Sequence, residues 1–241
     1  MITKNQIKLI RSLRLKKNRI KHNLFVAEGE KIVDELLESK FKLSYLFSTE
    51  NKYNSIKNHV SLKNQELKQI SSLKTPNKVL AVFEIPQENH IDYSQNIIAL
   101  EEINDPGNLG TIIRLCDWFG IKYIICSENS VDCFNPKTIQ ASMGSICRVN
   151  ISYVSFKNLI SSQKNNLIAA DMKGKNINNF PFKSNQIIFF GSESNGFSDD
   201  LSKQIEEKIT IPRYNQNIDS LNLASSVAIV LSELKNKITE K

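Results

Sequence analysis

Four cysteines stand in the sequence, Cys116, Cys126, Cys133 and Cys147, and none forms a C-x-x-C pair. That spacing suits the reduced cytoplasm better than a disulfide framework or a zinc site. No stretch of about 18 consecutive apolar residues occurs, so neither a transmembrane helix nor a membrane partner is expected. The opening MITKNQIKLIRSLRLKKNRIK has no apolar core and no small-residue cleavage site, so no secretory signal is expected. Only three histidines occur, His22, His59 and His90. All precede the second part of the chain. A Ser-His-Asp triad or a histidine metal cluster there is excluded, and no metal is expected. G-x-G-x-x-G and P-loop fingerprints are both missing. Glycine is scarce and uneven: of eight, only Gly29 lies in the first 106 residues. Sharp turns and close backbone approach to a ligand therefore belong to the later part.

Forty percent of the 241 residues are apolar and 24% are charged, ordinary values for a globular chain of one large or two small domains. The charge is not evenly spread. Residues 1–90 carry 17 Lys and Arg against 9 Asp and Glu, a net of +8 (17 − 9), whereas the whole chain carries +7. The remainder is thus close to neutral. Residues 1–21 hold basic side chains and no acid. Such a run favours a polyanion, nucleic acid first, with Arg11, Arg14, Lys16, Lys17 and Arg19 as candidate contacts. A solvated basic helix without a partner is the alternative.

The polar stretch IPQENHIDYSQN (85–96) separates two patterned regions, giving domains at 1–90 and 91–241. The first reads as a small α/β unit. It has a basic helix over 4–18, strands at 23–28, 42–49 and 79–85, and helices at 29–39 and 64–73. In the second, apolar strands at 96–103, 122–127, 149–154, 167–171, 186–192 and 208–213 alternate with helices near 109–119, 135–143 and 156–163. A last helix covers 222–237. Strands apolar throughout predict a parallel sheet covered on both faces.

Three loops follow predicted strands, where α/β sheets collect their ligands. The first is Asn104-Asp105-Pro106-Gly107-Asn108-Leu109-Gly110-Thr111-Ile112-Ile113-Arg114. The second is Gly191-Ser192-Glu193-Ser194-Asn195-Gly196. The third runs from Ile211-Pro212 through RYNQNID to Ser220-Leu221-Asn222. Each has a plain explanation by itself. Asn108 could cap a helix, Arg114 could be a surface cation, Gly191 to Gly196 could be an ordinary turn, and Ser220 or Asn222 could cap the last helix.

Together and in this order, the loops resemble the SpoU family of S-adenosylmethionine-dependent RNA ribose 2′-O-methyltransferases. Ala141-Ser142-Met143-Gly144-Ser145 resembles that family's sequence between the first two motifs. The likeness spans about residues 94–238. LKKNRIKHNLFVAEGEKIVDEL resembles, more loosely, the small substrate-binding domain that precedes many members.

The resemblance implies a fold that strand-order rules would not yield. This is an α/β SPOUT-type parallel sheet whose C-terminal segment threads a trefoil knot, preceded by a small α/β substrate-binding domain. It implies S-adenosylmethionine held around Gly191, Ile211, Ser220 and Leu221, with Ala170 as a further candidate, and a homodimer through the catalytic domain. It places Arg114 near the ribose hydroxyl, with Asn108, Glu193, Ser220 and Asn222 at matching motif positions. Because a guanidinium is a poor base, Arg114 is expected to orient phosphate and stabilise the developing oxyanion, with Glu193 holding it. Ribosomal RNA of the 23S type is the expected substrate. Transfer RNA and a non-catalytic RNA-binding or ribosome-assembly role are the alternatives. One departure stands in the third loop, where Arg213 and Tyr214 replace small or apolar residues. Tyr214 is open to two readings, base stacking or plain exposure.

Overall fold

The basic N-terminal run folds in the computed structural model as two helices, α1 (Lys4–Ser12) and α2 (Lys16–His22), not as one helix over 4–18. Side chains from the second helix satisfy the carbonyls at the break. Asn18 Nδ2 donates to the Ser12 carbonyl at 2.9 Å, and Arg19 Nη1 donates to those of Leu13 and Arg14 at 2.8 and 2.9 Å. Helix-end carbonyls need such partners. Arg19 also pairs with Asp132, Nη2 to Oδ2 at 2.6 Å, and is only 1% exposed. This corrects its reading as an RNA-facing cation: a buried guanidinium held by Asp132 and two carbonyls cannot reach a phosphate.

The structure describes residues 1–87, 90–163, 166–192, 196–215 and 217–239. They divide into two compact units, one of 1–87 with 132–147 and one of 88–131 with 148–241. A division into two consecutive blocks does not anticipate that 132–147 packs with the first unit. Asp132 holds Arg19 there, and Phe134 lies against Phe25 with ring centroids 4.8 Å apart.

In the first unit, β1 (Leu24–Glu28), α3 (Glu30–Leu37), β2 (Leu43–Ser48), β3 (His59–Ser61), α4 (Asn64–Ile70) and β4 (Val79–Glu84) follow α2. The sheet order is β1-β4-β2-β3, with β3 parallel to β2 and the other pairs antiparallel. Ile10 and Leu13, with Leu67 and Ile70 from α4, pack on Val26, Phe47, Leu80 and Val82. The short β3 was not legible in the pattern.

The rest of the chain forms β5 (Ile97–Leu100), α5 (Pro106–Trp118), β6 (Tyr123–Ser127), α6 (Pro136–Ser142), β7 (Asn150–Val154) and α7 (Phe156–Ser162). It continues through β8 (Leu167–Asn176), β9 (Ile187–Phe190), α8 (Asp199–Gln204), β10 (Lys208–Thr210) and α9 (Leu223–Thr239). Of these, α6 belongs to the segment that packs with the first unit. The six strands of the second unit form one parallel sheet, β10-β8-β9-β5-β6-β7. All of β5 is buried, as a strand covered on both faces requires. Phe156, Leu159 and Ile160 of α7 and Leu201 of α8 meet Ile97, Ala99, Ala169 and Phe189 in one core. Strand order reverses between β5 and β9, the switch point where such sheets open a crevice beyond their carboxyl ends. Among the described residues no helix is long and apolar enough to cross a membrane.

Candidate active site

Beyond the carboxyl ends of β9 and β10, beside the middle of β8, lies a cavity of about 560 Å³. Ala170, Gly191, Ile211, Ser220 and Leu221, the five candidate cofactor residues, all line it. Its inner wall includes Phe190, Ile209 and Val230, which are buried. A register break shapes one side. Lys208 of β10 faces Ala169 of β8, but the next residue, Ile209, faces Lys175, so 170–174 bulge out of the ladder register with β10. Asp171 and Met172 in that bulge reach the cavity. Gly174 permits the re-entry, because a Cβ there would lie 2.7 Å from the Lys208 carbonyl.

Two glycines stand at the described ends of the second loop. Ser192 and Gly196 exchange backbone hydrogen bonds of 2.8 and 3.0 Å, which bring the two described ends of the loop together. A Cβ on Gly191 would collide with the Gly196 carbonyl carbon, lying closer than any side chain can sit. Gly196 instead needs its φ of +66° and has open space around it. Gly191→Ala is therefore expected to destabilise by about 1–3 kcal/mol through overpacking, more than Gly196→Ala. Denaturant midpoints of the two variants check this order.

The first and third loops meet through one amide pair. Asp105, not Asn108, caps α5, its Oδ1 accepting from the Asn108 backbone N–H at 2.7 Å, with Pro106 in the first turn. The Asn108 side chain is turned elsewhere, and its Oδ1 accepts from Asn222 Nδ2 at 3.2 Å. Asn222 Oδ1 in turn accepts from the Ser225 N–H at 3.3 Å and starts α9. Asn222 is thus both a helix cap and the tie between motifs.

Arg114 stands apart from this group. It is exposed on α5, about 9 Å along the helix from Asn108 at 1.5 Å per residue. It does not line the cavity, and it has no hydrogen bond or ion pair with a described residue. Glu193 lies outside the described residues. The cysteines are no part of the site. Cys116, Cys126 and Cys133 are buried, and burial pushes the Cys116 thiol well above its ordinary range.

A family model described as SpoU rRNA methylase matches residues 95–232, the whole run that carries the three loops. The chain belongs to the SpoU rRNA methylase family. A second model, an MRM3-like substrate-binding domain, matches residues 4–81. A 23S rRNA (guanosine-2′-O)-methyltransferase of Bacillus subtilis is 26% identical over 96% of this chain and 97% of its own length. A solved TrmH-family chain from Porphyromonas gingivalis is 32% identical with a TM-score of 0.89, covering 98% of this chain and 99% of that one. An AdoMet-bound rRNA methyltransferase structure from Sinorhizobium meliloti is 27% identical with a TM-score of 0.87, over 98% and 96%. The α/β fold with its parallel sheet is therefore that of SpoU and TrmH structures.

The SpoU loops are braced by residues that motif reading missed. Glu101, at the end of β5, accepts from the Ser198 Oγ at 2.6 Å and its N–H at 3.1 Å, which anchors the chain after the second loop. Asp171 lies 3.5 Å from Lys208 Nζ, and that ammonium donates to Ser202 Oγ at 2.7 Å. Each acid directly follows an apolar run, residues 97–100 or 167–170, a signal legible as position but not as partner.

Proposed function

We propose that this chain transfers a methyl group from S-adenosylmethionine to a ribose 2′-hydroxyl in ribosomal RNA of the 23S type. The observation that carries the reading is the convergence of the SpoU loops. The second and third line one cavity, and the first is tied to the third through Asn108 and Asn222. The cavity suits the cofactor. Its volume is in the range of small-molecule sites, Phe190, Ile209 and Val230 offer an apolar wall for adenine, and Ser220, Ser226 and Asp171 offer polar edges. Ala170, Gly191, Ile211, Ser220 and Leu221 are the residues proposed to hold it. When bound, S-adenosylmethionine would supply an electrophilic methyl group, its S–CH3 bond breaking to leave S-adenosylhomocysteine as the ribose O–CH3 bond forms and the hydroxyl proton passes to solvent.

The chain's own residues then position and stabilise. Asn108 and Asn222 hold the third loop against α5. Arg114 donates to the RNA phosphate and to the hydroxyl oxygen as negative charge develops there, with Glu193 proposed to hold its guanidinium. Ser220 is proposed to orient the reacting groups. The proposal includes the trefoil threading of the C-terminal segment, supported by backbone approaches too close for a side chain at Gly174 and Gly191. It includes a homodimer through the catalytic domain, supported by Trp118 standing 83% exposed on α5. A cytoplasmic setting is supported by free thiols. The first domain, proposed as 1–90, is the RNA-binding part, and 91–241 the catalytic part.

Calorimetry with S-adenosylmethionine and radiolabelled methyl transfer to ribosomal RNA test the reading. Binding and transfer to ribosomal RNA are expected. Heat with NAD but not with S-adenosylmethionine overturns it, and transfer to transfer RNA alone overturns the substrate.

Arg11, Arg14, Lys16 and Lys17 remain as proposed RNA contacts. Arg11 and Arg14 are exposed while each donates one hydrogen bond to a carbonyl at the end of α4, Gln69 and Ser71, both at 2.7 Å. Replacing Arg11 and Lys17 by Ala is expected to flatten the dependence of log affinity on log salt by about 0.7 per lost phosphate contact on single strands. RNA titrations at four salt concentrations measure the slope. An unchanged slope would assign the basic run to solubility.

A further inference from the structure

The mouth of the cavity differs in kind from its interior. Phe190, Ile209 and Val230 inside are buried, but Met172, Tyr214, Ile218 and Leu221 at the rim are 58, 93, 55 and 50% exposed. These four are among the nine large apolar side chains exposed in the described residues, so apolar exposure is concentrated at one mouth. Clustered apolar exposure around an opening marks a surface that a partner covers. Tyr214 is the extreme case. Neither its ring nor its hydroxyl has a partner among the described residues. The backbone beneath it is nonetheless braced. Arg213 Nη1 donates to the Ile218 carbonyl at 3.3 Å across the loop, and the Asn217 N–H bonds Asn215 Oδ1 at 3.0 Å. The loop holds its aromatic ring outward without support from the core.

Given the proposed reaction, on which this inference rests, two substrates must meet at one methyl group. The smaller is the one that the buried inner wall can enclose. The larger arrives on a macromolecule and can present only one nucleotide to the opening. Its ribose must reach the methyl group, so its base must lie within one nucleotide of the rim. A base offers a flat π-face that stacks on an aromatic ring irrespective of sequence. We infer that Tyr214 is a substrate-binding residue, its ring stacking on the base of the target nucleotide, with Met172 and Ile218 as the apolar walls beside it.

The test compares Tyr214→Ala, Tyr214→Phe and the parent chain in steady-state methyl transfer to ribosomal RNA, with S-adenosylmethionine binding measured by calorimetry. A side chain so exposed can be truncated without disturbing the core. The expected result for Tyr214→Ala is an RNA KM raised about ten-fold or more, the effect of losing one base stack. Tyr214→Phe is expected to restore the parent KM, and the Kd for S-adenosylmethionine is expected to stay unchanged in both. An unaltered KM in Tyr214→Ala overturns the inference. So does a Phe variant as impaired as Ala, which would assign the hydroxyl rather than the ring. Weakened S-adenosylmethionine binding in Tyr214→Ala with an unchanged RNA KM would give the residue to the cofactor instead. Failure of the reaction itself is read separately, as absence of methyl transfer by the parent chain.

Discussion

Arg114→Ala is expected to lower methyl transfer by about two to three orders of magnitude, the usual loss when one oxyanion-stabilising donor is removed. Affinity for S-adenosylmethionine should be unaffected, because Arg114 does not line the cavity. Stability should also hold, because the side chain is exposed and has no hydrogen bond or ion pair with a described residue. Arg114→Lys keeps the charge but loses the planar fork that grips phosphate or carboxylate with two parallel bonds. It is expected to recover only part of the rate. Single-turnover transfer with both substrates saturating, beside calorimetry with the cofactor alone, separates the two effects. Near-normal turnover in the Ala variant would remove Arg114 from the site.

Asp132→Ala should destabilise the first unit by about 3–5 kcal/mol, the consequence of leaving a buried charge without its partner. Arg19 is 1% exposed, and Asp132 accepts from its Nη2 at 2.6 Å and its Nε at 2.8 Å. With the carboxylate gone, the guanidinium stays anchored to the Leu13 and Arg14 carbonyls and cannot swing out to water without releasing them. Arg19→Ala should be comparably damaging, for it orphans those carbonyls together with Asp132. Urea denaturation followed by far-ultraviolet circular dichroism measures both. An Asp132→Ala midpoint equal to that of the parent would return Arg19 to the surface cations. The contrast with Arg11 and Lys17 is informative. Their loss should change the salt dependence of RNA binding, whereas loss of Arg19 should change stability.

The N-terminal run shows why charge alone could not make that distinction. Eight basic side chains look equivalent as a list, and composition cannot tell which of them faces inward. Asp132, more than a hundred residues away, selects Arg19. The break between α1 and α2 follows from the same contact, since Arg19 and Asn18 satisfy the carbonyls that a continuous helix would have used internally. The short β3 and α8 escaped notice because three to six residues carry too little periodicity to stand out. The bulge in β8 escaped because register is a property of two strands, not of one.

What the sequence determined by itself is the chemistry available. The placement of histidine and cysteine set the expectation that the second part uses no triad, zinc or disulfide chemistry. Strands apolar throughout specified a sheet buried on both faces, and the three loops in order carried the family resemblance. Tertiary structure decided which residues those loops bring together. It put Ala170, Gly191, Ile211, Ser220 and Leu221 around one cavity, joined Asn108 to Asn222 across 114 positions of chain, left Arg114 outside the cavity and buried Arg19. The physical reason is that residue type and local period act over a few neighbours. Burial and pairing depend on segments that meet only when parallel strands align, and no local pattern encodes which distant carboxylate or amide will be waiting there.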